Sequence, residues 1–253
     1  MDGSMPLTGA LASYAGVQLT EQEQTLADAL NKELLAAYKN NTQSNSLTNK
    51  QKKSVRERLV STAKGDAYPR KSIKSLDLRE MSFMNDAILL KLVKHFPRLT
   101  SLSYNGESCL TSAGMAKVLK VCKHLRELTI EGSLTRPAKE IASILKACPK
   151  LEVLNLPGWE DNTALNIKAK KLKVLDISMW HGLTHLELDC PELLSLNLTS
   201  CRSLGYKGEF LPEGGKLDIK CPKLERVTLG HNKYLKEAHK EGIKAQCPDV
   251  VFV

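Results

Sequence analysis

The feature that most constrains this chain is a repeat of nearly fixed period, most legible in the stretch Cys148 to Leu156, CPKLEVLNL. Leu154 and Leu156 alternate as on a strand with one buried face, while Leu151 enters the same core from the approach to that strand. One such turn cannot bury its own apolar edge, so it demands copies above and below. The first apolar position recurs at Ile73, Leu99, Leu125, Leu151, Leu172, Leu193, Leu224 and Val250, with spacings by subtraction of 26, 26, 26, 21, 21, 31 and 26. The expectation is an α/β solenoid over residues 71–253, with residues 1–70 as an N-terminal helical cap and connector.

The spacing also predicts what backs each strand. In the first three turns Leu89, Leu92, Val93 and Phe96 are matched by Met115, Val118, Leu119 and Cys122, then by Ile141, Ile144, Leu145 and Cys148, each set reading i, i+3, i+4, i+7 as on a helix. Helix starts are marked by Asn85, by Thr111 or Ser112, and by Thr135 with Pro137. Where the period drops to 21 the pattern changes to Leu165-x-Ile167-x-Ala169, Leu186-x-Leu188-x-Cys190 and Leu217-x-Ile219-x-Cys221, which predicts short extended segments. The extra residues of the longest turn belong in a loop at Tyr206 to Gly215, and a helix returns near Leu235 to Gln246. At the other end, residues 1–18 should fray. Thr20 to Glu23 is a capping box opening a helix with Leu26, Leu30, Leu34 and Ala37 on one face, and a second capped helix should follow the polar linker from about Lys50 to Lys64.

The net charge of +9 raises the question of nucleic acid. Between Asn41 and Lys74 nine basic residues stand against Glu57 and Asp66, a balance of +7, so most of the charge lies in one connector. The patch Lys50, Lys52, Lys53, Arg56 and Arg58 would suit nucleic acid, an anionic lipid surface or an acidic partner, or would be a solvated cap face. No aromatic residue interleaves it and no nucleic-acid motif accompanies it, so nucleic acid is not the expected partner.

Five of the seven cysteines, Cys122, Cys148, Cys190, Cys221 and Cys247, sit three residues before the first apolar position of a turn, where Phe96 and Ala169 stand in other turns. That interchange predicts apolar filling, not a disulfide or a metal, and free thiols suit a reducing compartment; a cytoplasmic monomer is expected. No apolar run is long enough to span a membrane and no Sec-type leader is evident. No cofactor or catalytic motif stands out: Cys109 or Cys201 with His181 or His231 lacks any fixed geometry, and no metal triad or phosphate loop appears, so no enzyme and no cofactor are expected.

The units LTSAGMAKVLKVCKHLRELTI and CPKLEVLNLPG resemble the cysteine-containing leucine-rich repeats of F-box substrate receptors and of effectors secreted by some intracellular bacteria. The likeness covers about Ile73 to Val253. It implies a horseshoe with parallel concave strands and a convex outer wall, and a non-catalytic role in protein–protein interaction. Residues 1–72 show no F-box bundle, so a secreted effector in a host cytoplasm is the leading setting and a ubiquitin-ligase substrate receptor the alternative. A basic binder of nucleic acid or membrane surface through residues 50–74 is a third.

Alternation assigns the strand face turned away from the leucines to two columns: Ser75, Ser101, Glu127, Val153, Val174, Ser195 and Arg226, then Asp77, Ser103, Thr129, Asn155, Asp176, Asn197 and Thr228. It is a partner surface around Val153, Asn155, Val174 and Asp176, or a solvated face. Trp159 and Trp180 occupy one repeat slot, where Cys201 and Asn232 stand in later turns. They are either an exposed anchor, joined by Tyr206 and Phe210, or core filling where the outer wall changes.

Overall fold

The computed structural model describes residues 19–39, 57, 60–61, 71–81, 84–106, 110–132, 134–135, 137–160, 163–207 and 214–253. Two compact units are distinguished, one spanning Val17–Glu131 and the other running over Gly132–Val253. The architecture is mixed α/β, with parallel strand pairing throughout, five helices among the described residues and no closed barrel. No helix among the described residues is long and apolar enough to cross a membrane.

The first unit opens with helix α1, Glu21–Lys39. Its start is the expected capping box: Glu23 N–H donates to Thr20 Oγ1 and Thr20 N–H to Glu23 Oε2, each at 3.2 Å. Ala27, Leu30 and Leu34 are its buried stripe. Strands β1 (Ser75–Leu78), β2 (Ser101–Asn105) and β3 (Glu127–Glu131) pair in parallel with Ser75 beside Ser101 beside Glu127, the register that the 26-residue period requires. Between them run helices α2 (Asp86–His95) and α3 (Ser112–Val121). Asn85 caps α2 by accepting from Ile88 N–H, and Thr111 caps α3 by accepting from Gly114 N–H at 2.9 Å. Asp86, the first residue of α2, also accepts from Thr111 N–H (2.8 Å) and Thr111 Oγ1 (2.6 Å), tying the two helix starts together. Of the expected second helix only Glu57, Val60 and Ser61 are described, as helical; Lys50, Lys52, Lys53, Arg56 and Arg58 lie outside the described residues.

In the second unit β5 (Val153–Asn155), β8 (Val174–Asp176), β10 (Ser195–Asn197), β12 (Arg226–Thr228) and β13 (Val251–Phe252) form one parallel series, Leu154, Leu175, Leu196, Val227 and Phe252 aligned across it. A helix, α4 (Lys139–Ala147), precedes β5, and α5 (Glu237–Gln246) precedes β13. Thr135 does not cap α4, contrary to expectation. It lies in β4 (Leu134–Thr135), paired with β6 (Trp159–Glu160), so the helix begins later, with Ala138 at its start and no side-chain cap.

Between the remaining strands run the predicted extended segments, β7 (Ala164–Lys168), β9 (His185–Asp189) and β11 (Leu217–Lys220), a second parallel sheet in the order β11-β9-β7. Leu165 is beside Leu186 beside Leu217, and Leu165, Leu186, Ile167, Leu188 and Ile219 are buried against the leucine core. On the outward face Asn166 Nδ2 and Lys216 Nζ both donate to Glu187, whose carboxyl the lysine holds below its ordinary range.

The six described cysteines are free and buried. Burial pushes the Cys148 thiol up to about 11 and that of Cys201 to about 12, so both stay protonated and unreactive at neutral pH. The thiols are more than filler: Cys190 Sγ donates to Ile167 O (3.8 Å) and Cys247 Sγ to Cys221 O (3.2 Å), each reaching a carbonyl of the preceding turn.

Candidate functional site: the strand-exit edge

The strand exits of the second unit share one backbone device. Gly158, Met179, Ser200 and His231, spaced 21, 21 and 31 residues apart, all have positive φ, at 76°, 61°, 61° and 61°. A left-handed residue reverses the chain, so the side chain on that residue points outward and the next one turns into the core. The next residues are Trp159, Trp180, Cys201 and Asn232. Three of these donate to the equivalent carbonyl one turn back: Trp180 Nε1 to Leu156 O (2.7 Å), Cys201 Sγ to Ile177 O (3.2 Å) and Asn232 Nδ2 to Leu198 O (2.8 Å). In these three turns the slot holds a donor, buried at Trp180 and Cys201 and half-buried at Asn232, and an indole N–H serves as well as a thiol or an amide. Trp159 Nε1 finds no acceptor among the described residues.

Of the two readings of Trp159 and Trp180, exposed anchor or core filling, this arrangement is the core filling. Both are fully buried, their rings stacked with centroids 6.0 Å apart and planes at 6°. Burying two indoles is worth far more than leaving them wet, and the left-handed residue before each one aims it inward. The strand-face residues are also enclosed. Val153 and Val174 form a small buried pair, and Asn155 and Asp176 are buried beside them. Part of the hydrogen-bonding capacity of this face is spent within it: Asp176 accepts from Asn197 Nδ2 (2.9 Å) and Ser178 N–H (2.8 Å), and Asn197 Oδ1 from Thr199 N–H (3.0 Å) and Oγ1 (2.7 Å), while the buried atoms Asn155 Oδ1 and Ser195 Oγ have no hydrogen-bond partner among the described residues. Tyr206 is half-buried, edge-to-face with Tyr234 at 5.0 Å, and Phe210 lies outside the described residues.

What the turns leave outside is a row that the repeat alignment did not single out. Met179 is 46% exposed, one of few large apolar side chains so displayed among the described residues; Ser200, next in the series, is half-buried and His231 after it is exposed. His181 Nδ1 lies 2.9 Å from Ser200 O, and exposed Arg202 and Lys233 follow Cys201 and Asn232. The only sequence signals were the glycine at 158 and the slot residue itself.

The first unit carries a different face. Arg79 is clamped by Asp77 through Nε to both carboxylate oxygens (3.0 and 3.1 Å) and Nη2 to Oδ2 (2.6 Å), and its Nη1 reaches Glu131 at 2.8 Å. Asp77 N–H donates to Asn31 Oδ1, anchoring α1 to β1. Burial raises the Glu127 carboxyl above its ordinary value, with a hydrogen bond from Ser101 pulling the other way. Among the described residues no group of three or more His, Cys, Asp or Glu is placed to hold a metal ion.

No family model matches the chain, and no curated protein matches it. Twenty-seven chains of solved structures do. One belongs to the crystal structure of the Rad7 and Elc1 complex in yeast, with 13% identity and a TM-score of 0.38, covering 99% of this chain and 92% of that one. A superposition this loose says nothing about role.

Proposed function

We propose that this protein is a non-catalytic scaffold of the leucine-rich-repeat solenoid type that binds a partner protein along its strand-exit edge. The observation that carries this reading is the column of left-handed, non-glycine residues Met179, Ser200 and His231. The turn itself needs only a glycine, as at Gly158, and an L-residue held there costs roughly 1 kcal/mol or more. Side chains held there at that cost, with Met179 and His231 exposed and Ser200 half-buried, are better suited to contacting another molecule than to holding the core. The enclosed strand face contributes rigidity beneath them. A secreted effector in a host cytoplasm is the setting in which such a scaffold would act. The test is affinity capture from a eukaryotic cell lysate with the intact chain and a Met179→Asp variant of unchanged circular dichroism and melting temperature. A protein captured by the intact chain and lost with the variant is the expected result. Equal capture by both would overturn the edge as the binding surface.

A further inference from the structure

The strand-exit edge ends in a groove, and its chemistry points to the class of partner. The groove has a volume of about 970 Å³ and is lined by Arg202, His231, Lys233 and Lys240 around an apolar floor that includes Leu229 and Phe252. No lining side chain is a carboxylate; the anion that lines it is the main-chain carboxylate of Val253, whose oxygen accepts from Leu229 N–H at 2.9 Å. The absence of acidic side chains extends along the whole edge: the three exit loops 178–184, 199–206 and 230–236 hold His181, Arg202, His231, Lys233 and Lys236 and not one Asp or Glu. Arg202 and Lys233 have no carboxylate partner among the described residues, whereas Lys240 pairs with Glu237 (3.1 Å), outside the groove. Elsewhere in this unit lysines pair across turns, as Lys173 does with Glu152 at 2.9 Å and Lys223 with Glu192 at 2.8 Å. An edge of unpaired cations beside apolar surface is therefore a local departure, and it is charge-complementary to an acidic ligand.

Two classes of acidic macromolecule would answer to it, and the aromatic rings decide between them. Single-stranded nucleic acid is held by bases stacked on free aromatic faces. Here Tyr234 is engaged by Lys233 (5.3 Å to its ring centre) and by Tyr206, and Phe252 has Lys240 and Lys244 over it, both at 5.9 Å. The open apolar surface that remains suits aliphatic side chains. We infer that this groove and the adjoining edge bind an acidic peptide segment with interspersed apolar residues, its carboxylates meeting Arg202 and Lys233 and its aliphatic side chains resting against Leu229 and Leu235.

This inference rests on the scaffold reading and names the partner's chemistry. It is tested on the full chain by fluorescence polarisation with a labelled peptide of about twelve residues alternating Glu or Asp with Leu, its Gln-for-acid counterpart, and an oligothymidine. Expected are saturable binding of the acidic probe that weakens as salt rises from about 50 to about 300 mM, and loss by about tenfold or more both in the Gln counterpart and in an Arg202→Glu/Lys233→Glu variant with unchanged melting temperature. Undiminished binding by that variant, no binding of the acidic probe, or preference for the oligothymidine each overturns the assignment. Should the peptide fail while Met179→Asp still abolishes capture of a partner, the scaffold stands and only this groove's chemistry falls; failure of both removes the scaffold reading as well.

Discussion

The helix-backed turns of the first unit and the strand-backed turns of the second solve the same problem with different outer walls. Helices α2 and α3 have ten residues each, about 15 Å of rise; β7 and β9 have five each, about 17 Å. The two walls span the same depth of core, and the saving of 10 − 5 = 5 residues is the whole drop in period, 26 − 21 = 5. They differ in width. Neighbouring helices sit roughly 8–10 Å apart while strands sit about 4.8 Å apart, so a helix-backed turn is a wedge and a strand-backed turn has parallel sides. The first unit's strand face is held by the Asp77–Arg79–Glu131 ion network, the second's by neutral and singly charged hydrogen bonds among Asp176, Asn197 and Thr199.

The sharpest test of this contrast is where the strand-backed turns begin. Trp180→Ala should cost about 3–5 kcal/mol in chemical denaturation, the penalty for a large buried cavity. Trp180→Phe should cost more than Trp159→Phe by about 1–2 kcal/mol, because only the former leaves a buried carbonyl, that of Leu156, without its donor. Equal costs would break the donor-slot account. In the helix-backed turns stability should hinge on the linked caps instead: Thr111→Ala should lose about 1–2 kcal/mol, and an added Asp86→Ala change should cost less than it does alone, since both act through one contact.

Smaller effects follow at the edge and in the first strand face. Met179→Val should destabilise by about 1 kcal/mol, a β-branched residue being poorly accommodated at φ 61°, while Met179→Gly should be within about 0.5 kcal/mol of the parent. The smallest effect concerns Glu127. Burial raises its folded pKa, so the stability tied to its protonated form is present in acid and lost as pH rises through that value. Glu127→Gln should leave the melting temperature unchanged near pH 4 and raise it by up to about 2 °C at pH 7; a fall at pH 7 would show the carboxylate to be stabilising after all.

The strands, their register and the change of outer wall were legible because all three are consequences of side-chain periodicity, which a sequence displays directly. Leu165, Ile167, Leu186 and Leu188 alternate in the sequence as they do in the sheet. The strand-exit edge was not legible for the opposite reason. A left-handed Met179, Ser200 or His231 looks like any other residue, since its conformation is imposed by the turn and the ladder around it. Trp159 and Trp180 were correctly placed in a shared slot, yet whether that slot faced in or out depended on the sign of one φ angle before it. Arg79 and Glu131 escaped notice because they stand one pleat beyond the two columns that alternation defined, and their meeting joins residues 52 apart.

The parallel-sided turns carry a consequence for how such a chain lengthens. A duplicated 21-residue unit inserted among β8, β9 and β10 would bring its own inner strand, outer strand and slot donor, and would move the two ends of that stretch apart by about 4.8 Å at both the inner and the outer wall, with only the ordinary strand-to-strand twist between them. A duplicated helix-backed unit would swing them. The segment between α4 and α5 would therefore lengthen in whole turns, each adding about one strand spacing.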